Sequence, residues 1–210
     1  MDLKQSGAEW NEELNNHLTK IGYKRLSSEP CLYIKRNKEN KIIIILAVYV
    51  DDILLSGTKS SIEDTKKLIK NKFKIKDIGK VDFIIRIKFI NHKHGYFLNQ
   101  SRYLKEILEK FNKSNVSPIR HMTPVENKEL RKIKFDETKY RSVIGNFLYL
   151  RICTRPDIIY AVSKAARKSK EPNLEDWNNV VKIFRYLKDT SEYGLNFTRD
   201  QNIMAFVDAD

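Results

Sequence analysis

With 210 residues, 41% of them hydrophobic, the chain has enough apolar side chain to bury a core and is neither a disordered tail nor low in complexity. Its 40 Lys and Arg outnumber 27 Asp and Glu, and the resulting +13 and pI near 9.6 favour phosphate backbones or anionic surfaces as partners. Two distant cysteines, Cys31 and Cys153, exclude a disulfide framework and a Cys-x-x-Cys zinc site. The opening residues do not read as a signal peptide, and the longest apolar run, 42–50, falls short of the ~20 residues that cross a bilayer. A cytosolic or nuclear protein, not secreted and without a membrane partner, is expected.

Residues 5–21 predict a helix, with Trp10, Leu14, Leu18 and Ile21 at helical spacing and Gly22 to stop it. A short strand at 31–34 and a polar turn at 37–40 follow. Residues 42–50, rich in Ile and Val, read as a buried strand, and 53–55 as a second one closed by Ser56 and Gly57. Only Asp51 and Asp52 separate the two, so a tight antiparallel hairpin turning at the aspartates is expected. Ser60 or Ser61 should cap the next helix, with Glu63 and Asp64 at capping-box spacing. Ile62, Thr65, Leu68, Ile69 and Phe73 would line its inner face, and Lys66, Lys67, Lys70 and Lys72 would point outward.

Residues 81–89 alternate as one strand through Val81, Phe83, Ile85, Ile87 and Phe89. A turn at 91–95 and a return strand at 96–98 complete a second hairpin, and Ser101 should cap a helix that buries Leu104, Ile107, Leu108 and Phe111. Residues 112–138 are polar, carry Pro118 and Pro124, show no period, and offer the best candidate boundary. Val143, Ile144, Phe147 and Leu148 then mark a helix. Pro156 suits the first turn of another, with Ile159, Val162 and Ala166 inside. Trp177, Val180, Val181, Phe184 and Leu187 mark a third. Residues 194–197 and 203–207 look like two strands of a new sheet.

Two adjacent carboxylates in so apolar a stretch call for a compensating cation if they are desolvated. Mg²⁺, a hard ion that prefers carboxylate oxygens, would serve. Taken alone, the pair also reads as a solvated turn, where Asp is common. His92 and His94 read as a turn metal site or a solvated loop. The six lysines of 66–76 read as a phosphate-contacting face or a solvated one. Phe83, Tyr96, Tyr103 and Phe111 read as base-stacking or core residues, and the two cysteines as buried thiols.

Tyr49-Val50-Asp51-Asp52-Ile53-Leu54-Leu55-Ser56-Gly57, with an apolar strand on each side of the aspartates, resembles the catalytic hairpin of the reverse transcriptases of Ty1/copia-type LTR retrotransposons. Leu3-Lys4-Gln5-Ser6 with Trp10 resembles the family's segment that helps position template and incoming nucleotide, Gln100-Ser101-Arg102-Tyr103 with the helix after it resembles the start of the family's thumb region, and Tyr140-Arg141-Ser142-Val143-Ile144-Gly145 with Leu148-Tyr149-Leu150 matches the family as well. Cys153-Thr154-Arg155-Pro156-Asp157-Ile158 and Arg185-Tyr186-Leu187-Lys188 extend the likeness over nearly the whole chain. The resemblance implies an α+β fold. A partial polymerase palm and start of thumb would fill 1–112, and a linker or crossing segment 113–138. A helical thumb/connection region would fill 139–192, and the start of an RNase H-like sheet 193–210.

It also implies two-metal nucleotidyl transfer with Mg²⁺ or Mn²⁺, held in part by Asp51 and Asp52. The partners would be an RNA/DNA template–primer duplex and, in the full-length enzyme, a dNTP. Lys4 and Gln5 match the residues that position nucleotide and template. Ile84-Ile85-Arg86 stands where the family has a Phe-Leu-Gly hairpin that steers the primer end, with Arg in place of Gly. Asp208 matches the first ribonuclease H carboxylate. The family's third polymerase carboxylate lies upstream of the Leu3-Lys4-Gln5 segment, so this chain is expected not to polymerise DNA alone. A non-enzymatic nucleic-acid-binding or interaction protein derived from such an element is the alternative.

Overall fold

The computed structural model describes residues 6–123 and 126–199. Lys4, Gln5, Pro124, Asp208 and the strand expected at 203–207 lie outside the described residues. The chain forms two compact units, residues 1–81 and 82–210.

In the first unit, helix α1 (Ser6–Lys20) precedes a four-stranded antiparallel sheet in sequential order: β1 (Lys24–Arg25), β2 (Leu32–Arg36), β3 (Ile42–Tyr49) and β4 (Asp52–Gly57). Helix α2 (Lys59–Lys70) follows. Every second residue of β3 faces the core, so Ile44, Leu46 and Val48 are buried while Ile45 and Tyr49 are exposed. Leu14 and Leu18 of α1, Ile69 of α2, Tyr23 and Tyr33 complete that core. Thr58 caps α2, its Oγ1 accepting from the Ser61 amide at 3.3 Å, so neither Ser60 nor Ser61 is the cap. No acidic residue falls in the first turn, and Glu63 and Asp64 form no capping box.

In the second unit, β5 (Phe83–Ile84), β6 (Ile87–His92), β7 (Gly95–Asn99) and β8 (Gly194–Thr198) form an antiparallel sheet in that order. The strand expected over 81–89 is two strands folded on each other at Ile85 and Arg86, with Ile84 paired to Ile87. A period-2 pattern persists through a two-residue turn, so alternation alone could not reveal the reversal. Residues 194–197 do not begin a new sheet; β8 adds to β7, with Gly194 opposite Asn99. A Cβ at Gly194 would sit 2.1 Å from the Leu98 carbonyl oxygen, and glycine permits that approach.

Helices α3 (Ser101–Lys110), α4 (Lys128–Arg131), α5 (Glu137–Cys153), α6 (Ile159–Ala166) and α7 (Leu174–Asp189) make up the rest, with a 3₁₀ turn at Pro156–Ile158. Their core joins Leu104 and Ile107 of α3 to Tyr140, Val143, Ile144 and Phe147 of α5, Val162 of α6, and Val180, Phe184 and Leu187 of α7. Ser101 is the first residue of α3 rather than its cap. Gln100 holds the cap position without a side-chain capping bond. Ile159 is 47% exposed, not inside.

The described residues of 112–138 lie within the second unit and are bonded to α7 and to the segment before it. Arg185 Nε donates to the Ser117 carbonyl at 2.7 Å, Lys188 Nζ to that of Val116 at 2.9 Å, and the Phe135 amide to that of Pro172 at 2.9 Å. The division between units falls at Val81 and Asp82.

Candidate active site

β3 and β4 pair in unbroken register from Ile44 opposite Gly57 to Tyr49 opposite Asp52. The turn residues are therefore Val50 and Asp51, one position earlier than the aspartate pair itself. Val50 has φ 51°, and it alone of the two turn residues has a positive φ. A β-branched residue pays for that geometry. Asp52 pairs with Tyr49 and so shares the open face of the sheet with it, opposite the face that buries Val48. At the far end of the hairpin, Gly57 lies so close to β3 that a Cβ there would sit 2.5 Å from the Ile43 carbonyl oxygen.

Both aspartates are exposed, as a solvated turn has them. The apolar strand residues bury the face behind the hairpin, while the turn projects beyond them. Neither carboxylate has a cationic partner within ion-pair distance among the described residues. No group of three or more His, Cys, Asp and Glu that could hold a metal occurs among those residues. The donor set at the hairpin is thus two carboxylates. That suits Mg²⁺, which takes one or two protein carboxylates and completes its octahedron with water and substrate phosphates.

The second hairpin, Ile84-Ile85-Arg86, belongs to the other unit. Ile85 and Arg86 both have positive φ, 50° and 58°, the sign pattern of a type I′ turn that favours Asn-Gly. Tertiary contacts hold these ill-suited residues there. The Tyr149 hydroxyl of α5 donates to the Ile85 carbonyl. The Arg86 guanidinium lies 4.8 Å from the centroid of the Tyr103 ring and 3.7 Å from Glu106 Oε2. Tyr103 in turn donates to Asn146 Oδ1 at 2.9 Å and packs edge-on against Tyr149 at 5.4 Å. The tip of the hairpin is therefore fixed by α3 and α5 together.

His92 Nδ1 accepts from the His94 amide at 3.3 Å and its Nε2 meets Asn196 Oδ1 at 2.8 Å, so both ring nitrogens are engaged and the pair is a turn, not a metal site. Lys66 does not point freely outward. Hydrogen bonds from its ammonium to Glu63 and Asp77, both at 3.1 Å, hold its pKa above the usual lysine range. Tyr103 and Phe111 are core residues, whereas Phe83 and Tyr96 are 38% and 42% exposed. Cys31 is exposed, and Cys153 is half-buried.

Arg155 has a structural role that the sequence does not disclose. Its side chain is 3% exposed and grips Asp157 through two bonds, 3.0 Å from Nε and 2.8 Å from Nη2. It also donates to the Thr190 carbonyl at 3.0 Å and hydroxyl at 2.5 Å, and the Tyr186 hydroxyl donates to Asp157 at 2.9 Å. Burial alone would raise the Asp157 carboxyl, but the bonds and charge of Arg155, with the Tyr186 hydroxyl, outweigh it and hold the pKa below the ordinary aspartate range. An Arg-Pro-Asp sequence at the start of a helix is the only signal that could have pointed to this pair.

Residues 1–127 match the model of the reverse transcriptase (RNA-dependent DNA polymerase) family. The retrovirus-related Pol polyprotein from transposon TNT 1-94 of Nicotiana tabacum is 32% identical over 99% of this chain, which spans 17% of that relative's length. The putative transposon Ty5-1 protein YCL074W of Saccharomyces cerevisiae is 30% identical over 99% of this chain and 68% of its own length. The uncharacterized mitochondrial protein AtMg00810 of Arabidopsis thaliana is 33% identical over 79% of this chain and 70% of its own. No solved structure matches. None of the helices among the described residues is long and apolar enough to cross a membrane. By the family model and these relatives, the chain belongs to the reverse transcriptase family of copia-type retrotransposon Pol polyproteins.

Proposed function

We propose that this chain contributes the carboxylate hairpin and the primer-side hairpin of an RNA-directed DNA polymerase that binds a template–primer duplex and transfers nucleotides by two-metal chemistry. The observation that carries the reading is the β3–β4 hairpin, which presents two exposed carboxylates in succession, Asp51 in its two-residue turn and Asp52 at the start of β4, neither in an ion pair among the described residues. Asp51 and Asp52 would supply oxygen ligands to Mg²⁺ or Mn²⁺, Asp51 foremost. The bound metal would stabilise charge on the attacking and leaving oxygens. The Ile84-Ile85-Arg86 tip would meet the primer, Lys4 and Gln5 would position nucleotide and template, and Asp208 would belong to a ribonuclease H centre. Excess cationic side chains would attach the duplex through its phosphates, with steep salt dependence.

The chain is expected to bind template–primer duplex. Fluorescence anisotropy of a labelled RNA/DNA template–primer tests this. The expected result is binding that weakens sharply with salt, with a Mg²⁺-dependent increment that Asp51→Asn/Asp52→Asn removes. Failure to bind duplex at low salt would refute the reading.

A further inference from the structure

The second unit carries an open cavity of about 690 Å³ that neither Asp51 nor Asp52 lines. Its size falls within the range of small-molecule sites. One wall is the β5–β6 hairpin, where Phe83 and Lys88 are direct cross-strand neighbours and so share one face of the sheet. A second wall is α3. Leu104 and Leu108, both buried, and Lys105 between them form a single helical stripe along it. The end of α7 and the chain leaving it form the third wall, with Lys188 and Glu192.

The electrostatics of this cavity are one-sided. Lys88, Arg102, Lys105 and Lys188 line it against two carboxylates, Asp82 and Glu192. Lys88 and Lys105 take part in no ion pair among the described residues. Arg102 shares Glu106 with Arg86, its Nε 3.5 Å from the carboxylate, and Lys188 is bound only to a neutral carbonyl. Like charges gathered around a partly apolar space repel one another, and an anion relieves that repulsion. The apolar part of the wall is not featureless. The Phe83 ring is 38% exposed, and the Arg102 guanidinium lies 5.3 Å from its centroid. An aromatic face next to a planar cation suits a flat heterocycle, which stacks on either.

From these features we infer that the cavity binds a free nucleoside polyphosphate, its base against Phe83 and Arg102 and its phosphates among Lys88, Lys105 and Lys188. This site is separate from the carboxylate hairpin and goes beyond the polymerase reading. The cation set asks for multiple negative charges and the aromatic wall for a ring.

Isothermal titration tests the inference. The full chain carries Asp51→Asn/Asp52→Asn, and EDTA is present throughout, so no metal-dependent site contributes. ATP and inorganic triphosphate are the probes. ATP is expected to bind one to one. Lys88→Gln/Lys105→Gln should weaken it about tenfold, because each exposed charge pair is worth a few-fold. Lys38→Gln/Lys41→Gln, which removes the same charge from the other unit, should leave the affinity unchanged. Phe83→Leu should weaken ATP about threefold and leave triphosphate unaffected. Thermal melting of each variant checks that the fold is intact. Absence of stoichiometric ATP binding, or equal weakening by the two lysine pairs, would overturn the site. An effect of Phe83→Leu on neither probe would overturn the nucleotide as its ligand.

Discussion

The guanidinium of Arg86 lies 4.8 Å from the centroid of the Tyr103 ring, and this contact holds a turn that its own residues disfavour. Ile85 and Arg86 both occupy the left-handed region, where each non-glycine residue costs about 1–2 kcal/mol. Arg86→Ala would keep the strain and lose the contacts with Tyr103 and Glu106, so it should destabilise the chain by about 1 kcal/mol. Arg86→Gly would lose the same contacts but relieve the strain, and should be neutral or slightly stabilising. Urea unfolding of the two variants separates these outcomes. Equal loss in both would mean that the turn geometry carries no cost.

Val50 presents the same conflict at the first hairpin. Its φ of 51° is foreign to a β-branched side chain that is 69% exposed and packs against little. Val50→Gly should therefore raise stability by about 1 kcal/mol in chemical denaturation. At the opposite end of that hairpin, Gly57→Ala should lower it by about 1–3 kcal/mol. The new Cβ would meet the Ile43 carbonyl oxygen at 2.5 Å, and a backbone atom cannot step aside as a side chain can.

The Arg155–Asp157 pair gives stability a defined pH dependence. The folded-state pKa of Asp157 is depressed below its unfolded value of about 3.9, so the unfolded chain takes up the proton first. Its contribution is present above that pH and is lost as pH falls through the folded value. Arg155→Met should cost about 3 kcal/mol at neutral pH, because it removes the charge partner of Asp157, leaving it only the Tyr186 hydroxyl, and takes the guanidinium donor from the Thr190 carbonyl. It should also flatten the acid limb of the stability profile. A variant with the wild-type acid limb would show that Asp157 owes nothing to this partner.

Much of the fold was legible in the sequence because periodicity reports burial. Leu14 and Leu18, and Val180, Phe184 and Leu187, lie in the core as their spacing requires, whereas the strand expected to be buried over 42–50 buries only one face, Ile44, Leu46 and Val48, and exposes Ile42, Ile45 and Tyr49. What escaped was decided by contacts distant in sequence. The reversal at Ile85 and Arg86 carries no turn chemistry of its own and depends on Tyr149 and Tyr103. β8 joins β7 across a separation of about a hundred residues that no local pattern records. Thr58 rather than Ser60 or Ser61 caps α2, since boundaries a residue or two apart look alike in sequence. The aspartate pair stood out from its flanking strands, but apolar neighbours do not tell whether the pair itself is buried, because the hairpin end projects past the buried face of β3.

Exposed, unpaired carboxylates contribute little to stability, so Asp51→Asn and Asp52→Asn should each change the unfolding free energy by no more than about 0.5 kcal/mol. They are therefore clean probes of function. The most direct test of the metal-binding hairpin is paramagnetic line broadening by Mn²⁺ in the amide NMR spectrum of the chain. The account predicts selective broadening of Tyr49, Val50, Asp51 and Asp52 at low Mn²⁺, abolished in the Asp51→Asn/Asp52→Asn variant. Broadening centred elsewhere, or unchanged by the double substitution, would contradict it.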